Sequence, residues 1–382
     1  MEHLTAAQAS ARRGGLGRLL GIDAARALAL IGMMAVHILP ASTATGEAAW
    51  YYIIAGGRSS ALFAVLAGLG LALASGGVTP REGPELRAAR RGTAARALVL
   101  GAIGLILGSL DSGVAVILVH YGFLFVIGAL WLGLSARPLL ILAFVWSLAA
   151  PVVSHLLRSG GQPGPQVPGI DLLLQPITLV GDVFLTGYYP VFTWVSYLLV
   201  GLGVGRLTLR HRTVAWRLLG AGLAVALSAR LASGWILARP GGVEQVSPLP
   251  VQFFGTTPTD SWWYLAVATP HSGSTFDLLH TGGSALATIG LCLLVASFSA
   301  AAVAWLAGAG GMSLTLYSAH VVALLTRLGF EHRLRLLAIH IVTALVVGLG
   351  WRTMVGRGPL ETLAANVAAV AKATVVVNPK AR

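Results

Sequence analysis

The sequence predicts an all-α fold, a polytopic bundle of about ten membrane-spanning helices. Three observations predict it. Apolar residues make up 56% of the 382 residues and charged residues only 10%, against roughly 25% charged in a soluble domain. Mean hydropathy is +0.80. Apolar stretches near the roughly 20 residues that a bilayer requires recur along the chain.

The first stretch, 22–39, follows SARRGGLGRLL, whose paired arginines resemble a secretory signal. Asp23 and Arg26 interrupt its apolar part and many spans follow, so it reads as a retained first helix behind a cytoplasmic tail at 1–18. Further spans follow at 51–74, 97–109, 114–134, 139–157, 191–207, 216–237, 278–298, 302–325 and 336–354. The third is short. Nothing in 297–304 marks a clear break between the eighth and ninth. The segment 19–361 reads as one transmembrane domain, followed by a cytoplasmic tail at 362–382 whose Ala/Val-rich start suits a membrane surface. No internal repeat is visible.

Charge sets the orientation. The formal net charge is +13, but the basic residues sit at the ends of spans, as topology demands. No basic run is interleaved with exposed aromatics, so nucleic acid is not an expected partner. With the amino terminus inside, the cytoplasmic segments hold Arg12, Arg13, Arg18, Arg81, Arg87, Arg90, Arg91, Arg96, Arg137, Arg206, Arg210, Arg212, Arg217, Arg352, Arg357, Lys372, Lys380 and Arg382. The outer segments hold Arg158, Arg239, Arg327, Arg333 and Arg335, the last three being the weakest point of the pattern. The expected location is the cell membrane, multi-pass, with both termini cytoplasmic and the lipid bilayer as surroundings. Two long outer segments, 158–190 and 239–277, are rich in Gly, Pro and aromatics, which suits interfacial packing or a sugar-stacking surface.

The residues that could carry chemistry are the polar ones inside the spans, where each costs several kcal/mol unless paired or facing a polar cavity. Asp23 is placed to pair with Arg26 three residues on. His37 lies eleven residues beyond Arg26, on nearly the same helix face and about 16 Å further along the axis. An unperturbed imidazole suits a general base, although a helix-packing histidine would look the same. His120, His280 and His320 are further intramembrane candidates, with His271 at the mouth of the eighth span. Arg58 can face a carboxylate or phosphate, or snorkel to the interface. Glu361 reads as an ion pair or helix cap. Cys292 is the only cysteine, which excludes an intrachain disulfide and a cysteine metal cluster. No HExxH occurs, and His271 and His280 are not at a usual ligand spacing, so no metal is expected. The GLGVG run at 201–205 is small-residue helix packing, which permits a homodimer.

These stretches resemble a known family. LLGIDAARALALIGMMAVHI resembles the opening motif of the membrane acyltransferases related to heparan-alpha-glucosaminide N-acetyltransferase. GRSSALFAVLAGLGLALA and GYYPVFTWVSYLLVGLGVGR are similar to later blocks of that family. GMSLTLYSAHVV and WRTMVGRGPLE resemble carboxy-terminal blocks of an allied bacterial family of uncharacterised membrane proteins. The resemblance implies transfer of an acetyl or other acyl group from cytosolic acyl-CoA to an amine or hydroxyl on the far side, with an envelope sugar or glycolipid as acceptor. It also implicates a histidine near the outer end of the first two spans. Asp23, Arg26 and His37 match the opening motif, but Ala27 replaces its glycine, and the loop after the first span has no histidine.

On this reading His37 is the catalytic base. Arg26, with Arg90, Arg91 or Arg96, holds the phosphates of acetyl-CoA, and the pantetheine arm follows the first span through one cleft. Tyr189, Arg58 and His320 are unranked candidates for the oxyanion donor. A small-solute transporter and an assembly protein are the alternative classes, distinguished by flux without thioester turnover and by an intact envelope after loss of His37.

Overall fold

The computed structural model describes residues 6–159 and 166–376. Residues 1–5 with His3, residues 160–165 of the first long outer segment, and residues 377–382 with Lys380 and Arg382 lie outside the described residues, as do the side chains of Arg12, Arg13 and Arg18. No strand forms among the described residues; Ser42 and Ala48 make one isolated bridge.

The helices are α1 (Ala6–Ile38), α2 (Trp50–Ala55), α3 (Arg58–Ala74), α4 (Gly83–Gly108), α5 (Leu118–Gly128), α6 (Ala136–Leu157), α7 (Pro176–Gly181), α8 (Val191–Gly205), α9 (Arg212–Leu237), α10 (Gly242–Val246), α11 (Thr275–Phe298), α12 (Ala300–Gly310), α13 (Ser313–Leu324), α14 (Arg333–Met354) and α15 (Pro359–Val376). Among the described residues seven segments are long and apolar enough to cross a membrane, or up to nine if each of two bent pairs is one span. The expected fourth span is a shorter apolar helix, Leu118–Trp131. The bundle end near Leu20 of α1 is called proximal here, and the end at Ile38 distal.

The third and ninth spans differ from expectation, whereas the eighth and ninth part where expected. The short third span is the end of a 26-residue helix. Pro84 and Glu85 start α4 well, and the Ala/Arg-rich stretch continues it, so Arg87, Arg90, Arg91 and Arg96 ride on a helix rather than a loop. The eighth and ninth spans part at Ser299, whose side chain caps α12 by accepting from the Ala302 amide at 3.2 Å. The ninth span is bent by 58° between α12 and α13. Likewise, 176–186 is helical and meets α8 at 56° across the segment that ends in Pro190.

Helix α1 lies between α3, α11, α12 and α14, so its two ends open on different parts of the molecule. Close helix approach fixes that position. A Cβ on Gly310 of α12 would collide with the Asp23 carbonyl, and one on Gly201 of α8 with the Val65 carbonyl of α3. Gly201 is therefore spent on packing inside the chain, and the small-residue face suggested for a homodimer is filled by α3. Arg206, nearly inaccessible, donates to the carbonyls of Ala72, Gly77, Leu132 and Leu134 and to Ser75 Oγ. One guanidinium thus satisfies open helix C-termini that would otherwise be orphaned.

Candidate functional site

Two cavities lie at opposite ends of α1 and share no lining residue. The single cleft expected along the first span is therefore divided by packed side chains.

The distal cavity, about 790 Å³, is lined by His37, Tyr52, Asp111, Asp171, Tyr188, Tyr189, Gln252, Phe253, Phe254 and His271 among others. It combines imidazoles, carboxylates, an amide and aromatic faces, the set of groups that holds a polar ring by stacking and hydrogen bonding. The last turn of α1 supplies His37. The loop before α11 supplies His271, held by Phe253 N donating to Pro270 O and Gly255 N to His271 O, both at 2.9 Å. Asp277, buried in the first turn of α11, accepts from Gly273 N at 3.1 Å and steadies the same loop. His271 has a φ of 59°, a conformation that such support must maintain. Burial pushes its pKa down to about 4, because the charged imidazolium loses hydration there.

His37 does not stand alone. Its Nδ1 and His320 Nε2 share a hydrogen bond of 3.2 Å, with the rings stacked 5.4 Å apart. His320 Nδ1 in turn meets His340 Nδ1 at 2.9 Å. His320 gives opposite nitrogens to its two neighbours, so the three rings do not converge on one point. Among the described residues no group of three His, Cys, Asp or Glu is placed to hold a metal.

The proximal cavity, about 590 Å³, is lined by Arg26, Arg96, Arg357 and Lys372, with Thr93, Phe63, Tyr121 and Phe125 deeper in. Its walls come from α1, α3, α4, α13 and α15, so residues 362–376 pack along α4 as part of the bundle. Asp23 bonds Arg26 at 2.8 Å and Arg352 at 3.2 Å. Glu361 is committed to capping α13, accepting from Leu314 N at 2.7 Å and Thr315 Oγ1 at 2.6 Å. The uncommitted charge of the cavity is positive. Arg96 has a buried Nε without any partner.

From Tyr121 at the proximal cavity to Tyr317 beside His37 runs a seam of buried polar atoms with no hydrogen-bond partner among the described residues. Tyr121, Tyr317 and the adjacent Ser318 contribute hydroxyls, and His120, next to Tyr121, both ring nitrogens. Tyr121 lines the proximal cavity, while Tyr317 lies edge-on to His37 with ring centroids 6.4 Å apart. Partnerless buried polar groups are few in native proteins and each calls for an explanation.

Not every sequence candidate lies on these cavities. Arg58 donates to Ile53 O at 2.5 Å and meets His280 Nε2 at 2.6 Å, while His280 Nδ1 donates to Ala226 O at 2.9 Å. The pair braces α3 against α11 and α9 and lines neither cavity. Arg90 donates to the carbonyls of Ala129 and Leu130, and Arg91 points to Thr374 of α15; neither lines the proximal cavity. His120 lies in the seam, edge-on to Tyr189. Tyr189 lines the distal cavity, its hydroxyl donating to Ala115 O at 3.1 Å. The places of His340, Arg357, Lys372 and the Tyr188, Phe253 and Phe254 wall beside the site could not be read from the sequence, since they adjoin it only through tertiary packing.

A family model for the heparan-alpha-glucosaminide N-acetyltransferase catalytic domain matches residues 18–233, more than half of the chain. The chain belongs to this family. No curated protein matches it. It is a polytopic membrane protein of an acetyltransferase family, and such a family implies acetyl-CoA as acetyl donor. The match carries Asp23, Arg26, His37, Arg58, Arg96, His120 and Tyr189; the acetyltransferase region ends before His271, His280, His320 and α15, and the blocks at 311–322 and 351–361 lie outside it.

Proposed function

We propose that the chain moves an acetyl group across the membrane, from acetyl-CoA at the proximal cavity to an amine or hydroxyl of an envelope sugar or glycolipid in the distal cavity. The observation that carries the reading is the pairing of a cationic cavity with a histidine-bearing one at opposite ends of α1, joined by the unpartnered polar seam. The bias of Arg and Lys toward the proximal segments makes that end cytosolic in the cell membrane, with both termini inside.

The residues fit the donor. Arg26, Arg96, Arg357 and Lys372 supply charge-assisted donors for phosphate oxygens, and the free Nε of Arg96 is one donor already desolvated and waiting. The pantetheine arm has about 16 Å to cover from Arg26 to His37. It follows the seam, where the hydroxyls of Tyr121, Tyr317 and Ser318 gain partners as it threads between them. Because the cavities are separate, this passage requires those side chains to rotate. His37 Nε2 takes the proton of the acceptor as it attacks the thioester carbonyl. The aromatic wall of Tyr188, Phe253 and Phe254 stacks the sugar, and Asp111 and Asp171 accept from its hydroxyls.

The test is transfer of radiolabel from acetyl-CoA to envelope glycans by purified protein in proteoliposomes, together with direct CoA binding. Label on the glycan supports the reading; no label and no micromolar CoA binding overturns it. Opposed cavities joined by polar groups would also serve a small-solute transporter, which flux without thioester turnover would identify.

A further inference from the structure

We infer that His37, His320 and His340 form a charge relay that moves the positive charge of the reacting base off His37 and onto His340. This rests on His37 being the base of acetyl transfer. Neither His320 nor His340 lies in the region matched to the family.

The geometry comes from three helices. His37 is at the end of α1, His320 on α13 and His340 on α14, with hydrogen bonds of 3.2 Å and 2.9 Å in series. A hydrogen bond between neutral imidazoles needs one protonated and one bare nitrogen. If His37 carries its proton on Nδ1, it donates to His320 Nε2, and His320 Nδ1 then donates to His340 Nδ1. This polarity leaves His37 Nε2 bare, as a base requires. The opposite polarity would put a proton on Nε2 and disable it.

The environment explains why the charge should move. His320 is only 3% exposed, and an ion fixed in such surroundings is costly. An imidazolium held on His37 would also lie beside Arg333, whose guanidinium donates to the adjacent Ile38 carbonyl at 2.9 Å. Tyr317 faces His37 from α13, and His271, Asp111 and Asp171 also line its cavity; neither carboxylate forms an ion pair with His37, so no negative charge is fixed against its ring. His340 is less enclosed than His320 and sits on α14 about two turns in from the distal start of that helix at Arg333.

The proton count balances. The acceptor's lone pair forms the new bond to the acetyl carbon, its proton passes to His37 Nε2, and the carbon–sulfur bond breaks to leave the thiolate. His37 Nδ1 gives its proton to His320 Nε2, and His320 Nδ1 gives its proton to His340 Nδ1. His37 and His320 end neutral, each switched from the Nδ1-protonated to the Nε2-protonated tautomer, and His340 ends as the imidazolium. When product leaves, the two shifts reverse and His37 Nε2 loses its proton to cavity water, while the thiolate takes one from water at its own side. His320 and His340 are thus positioning and relaying residues, and only His37 touches the acceptor.

Two measurements on proteoliposomes test the relay. The first is acetyl transfer to glucosamine by wild type, His320→Gln and His340→Asn, with kcat, KM and a proton inventory in mixed light and heavy water. Each amide keeps a hydrogen-bond partner where the ring nitrogen was but accepts no proton, so the fold and the orientation of His37 are retained. We expect kcat to fall roughly tenfold to 100-fold, the acceptor KM to stay unchanged, and a curved inventory to become linear. Wild-type kcat with a curved inventory in either variant overturns the relay. The second is nitrogen-15 NMR of histidine-labelled resting protein. His37 and His320 protonated on Nδ1, with the His37 signature kept in His320→Gln and lost in His320→Leu, supports the polarity; His37 protonated on Nε2 overturns it. A wild type that acetylates no acceptor counts against the proposed function, and the NMR result then decides the relay by itself.

Discussion

The two ends of α1 are built on different physics. The proximal cavity gathers cations from α1, α4 and the segment around α15; its one lining carboxylate among the described residues, Glu361, caps α13, and Asp23 behind it pairs with Arg26 and Arg352. The distal cavity holds few charges and many rings, and a loop from far along the chain closes it over His37. One end is shaped to attract an anion at long range, the other to hold a polar ring at short range. Substitutions at the two ends should therefore fail in different ways: distal changes should act on turnover, proximal changes on donor affinity.

The largest expected effect is at the distal end. His37→Ala should lower acetyl transfer at least about 100-fold, the usual contribution of a positioned base, while CoA binding measured by calorimetry stays at the wild-type value. A parallel loss of CoA affinity would break the division between the ends. The proximal counterpart is Arg96→Ala. A hydrogen bond to a charged group is worth about 1.5–3 kcal/mol, so the donor Kd should rise roughly tenfold to 150-fold. The loss should change little as salt rises, since a contact made by a buried guanidinium is screened much less than an exposed one. A turnover defect without an affinity defect would reverse the assignment of the two ends.

This contrast also accounts for what could be read from the chain alone. The helical class and nearly every span follow from apolar runs of bilayer length, which report on solvent rather than on partners. Asp23, Arg26 and His37 are visible because an ionisable residue in an apolar helix stands out against its own neighbours. Arg58 and His280 stand out equally well, yet they satisfy each other. Sequence reveals that such a residue needs a partner, not whether the partner is a ligand or another side chain. Arg90 illustrates the same point, since the carbonyls it satisfies lie at the end of α5. The histidine series and the aromatic wall are legible only in three dimensions, because His37 lies 283 positions from His320 and the wall joins Tyr188 to a separate later loop.

A smaller effect tests the seam that divides the two cavities. Tyr317→Phe removes a buried hydroxyl that has no partner. Deleting such a group leaves nothing else unsatisfied, so thermal stability should hold or rise slightly. If the acyl donor threads past this hydroxyl, turnover should nonetheless fall roughly twofold to tenfold, the value of a neutral hydrogen bond of about 0.5–1.5 kcal/mol. A variant that is less stable and equally active would return Tyr317 to the ordinary packing of α13.

The smallest effect concerns the loop that closes the distal end. His271 has a folded pKa near 4 because burial disfavours its charged form, whereas an unfolded imidazole titrates near ~6.5. Between these values the unfolded chain binds more protons than the folded one, so stability rises with pH across this window and is level above it. Because His271 is partly exposed to the cavity, solvent screens much of the penalty, and a loss on the order of 1 kcal/mol on going from pH 7 to pH 4 is expected for this residue. His271→Gln carries no titrating group and should flatten that part of the stability curve, while Arg96→Ala at the other end should leave it unchanged. Equal flattening by both variants would mean that acid acts on the bundle as a whole and not on the loop over His37.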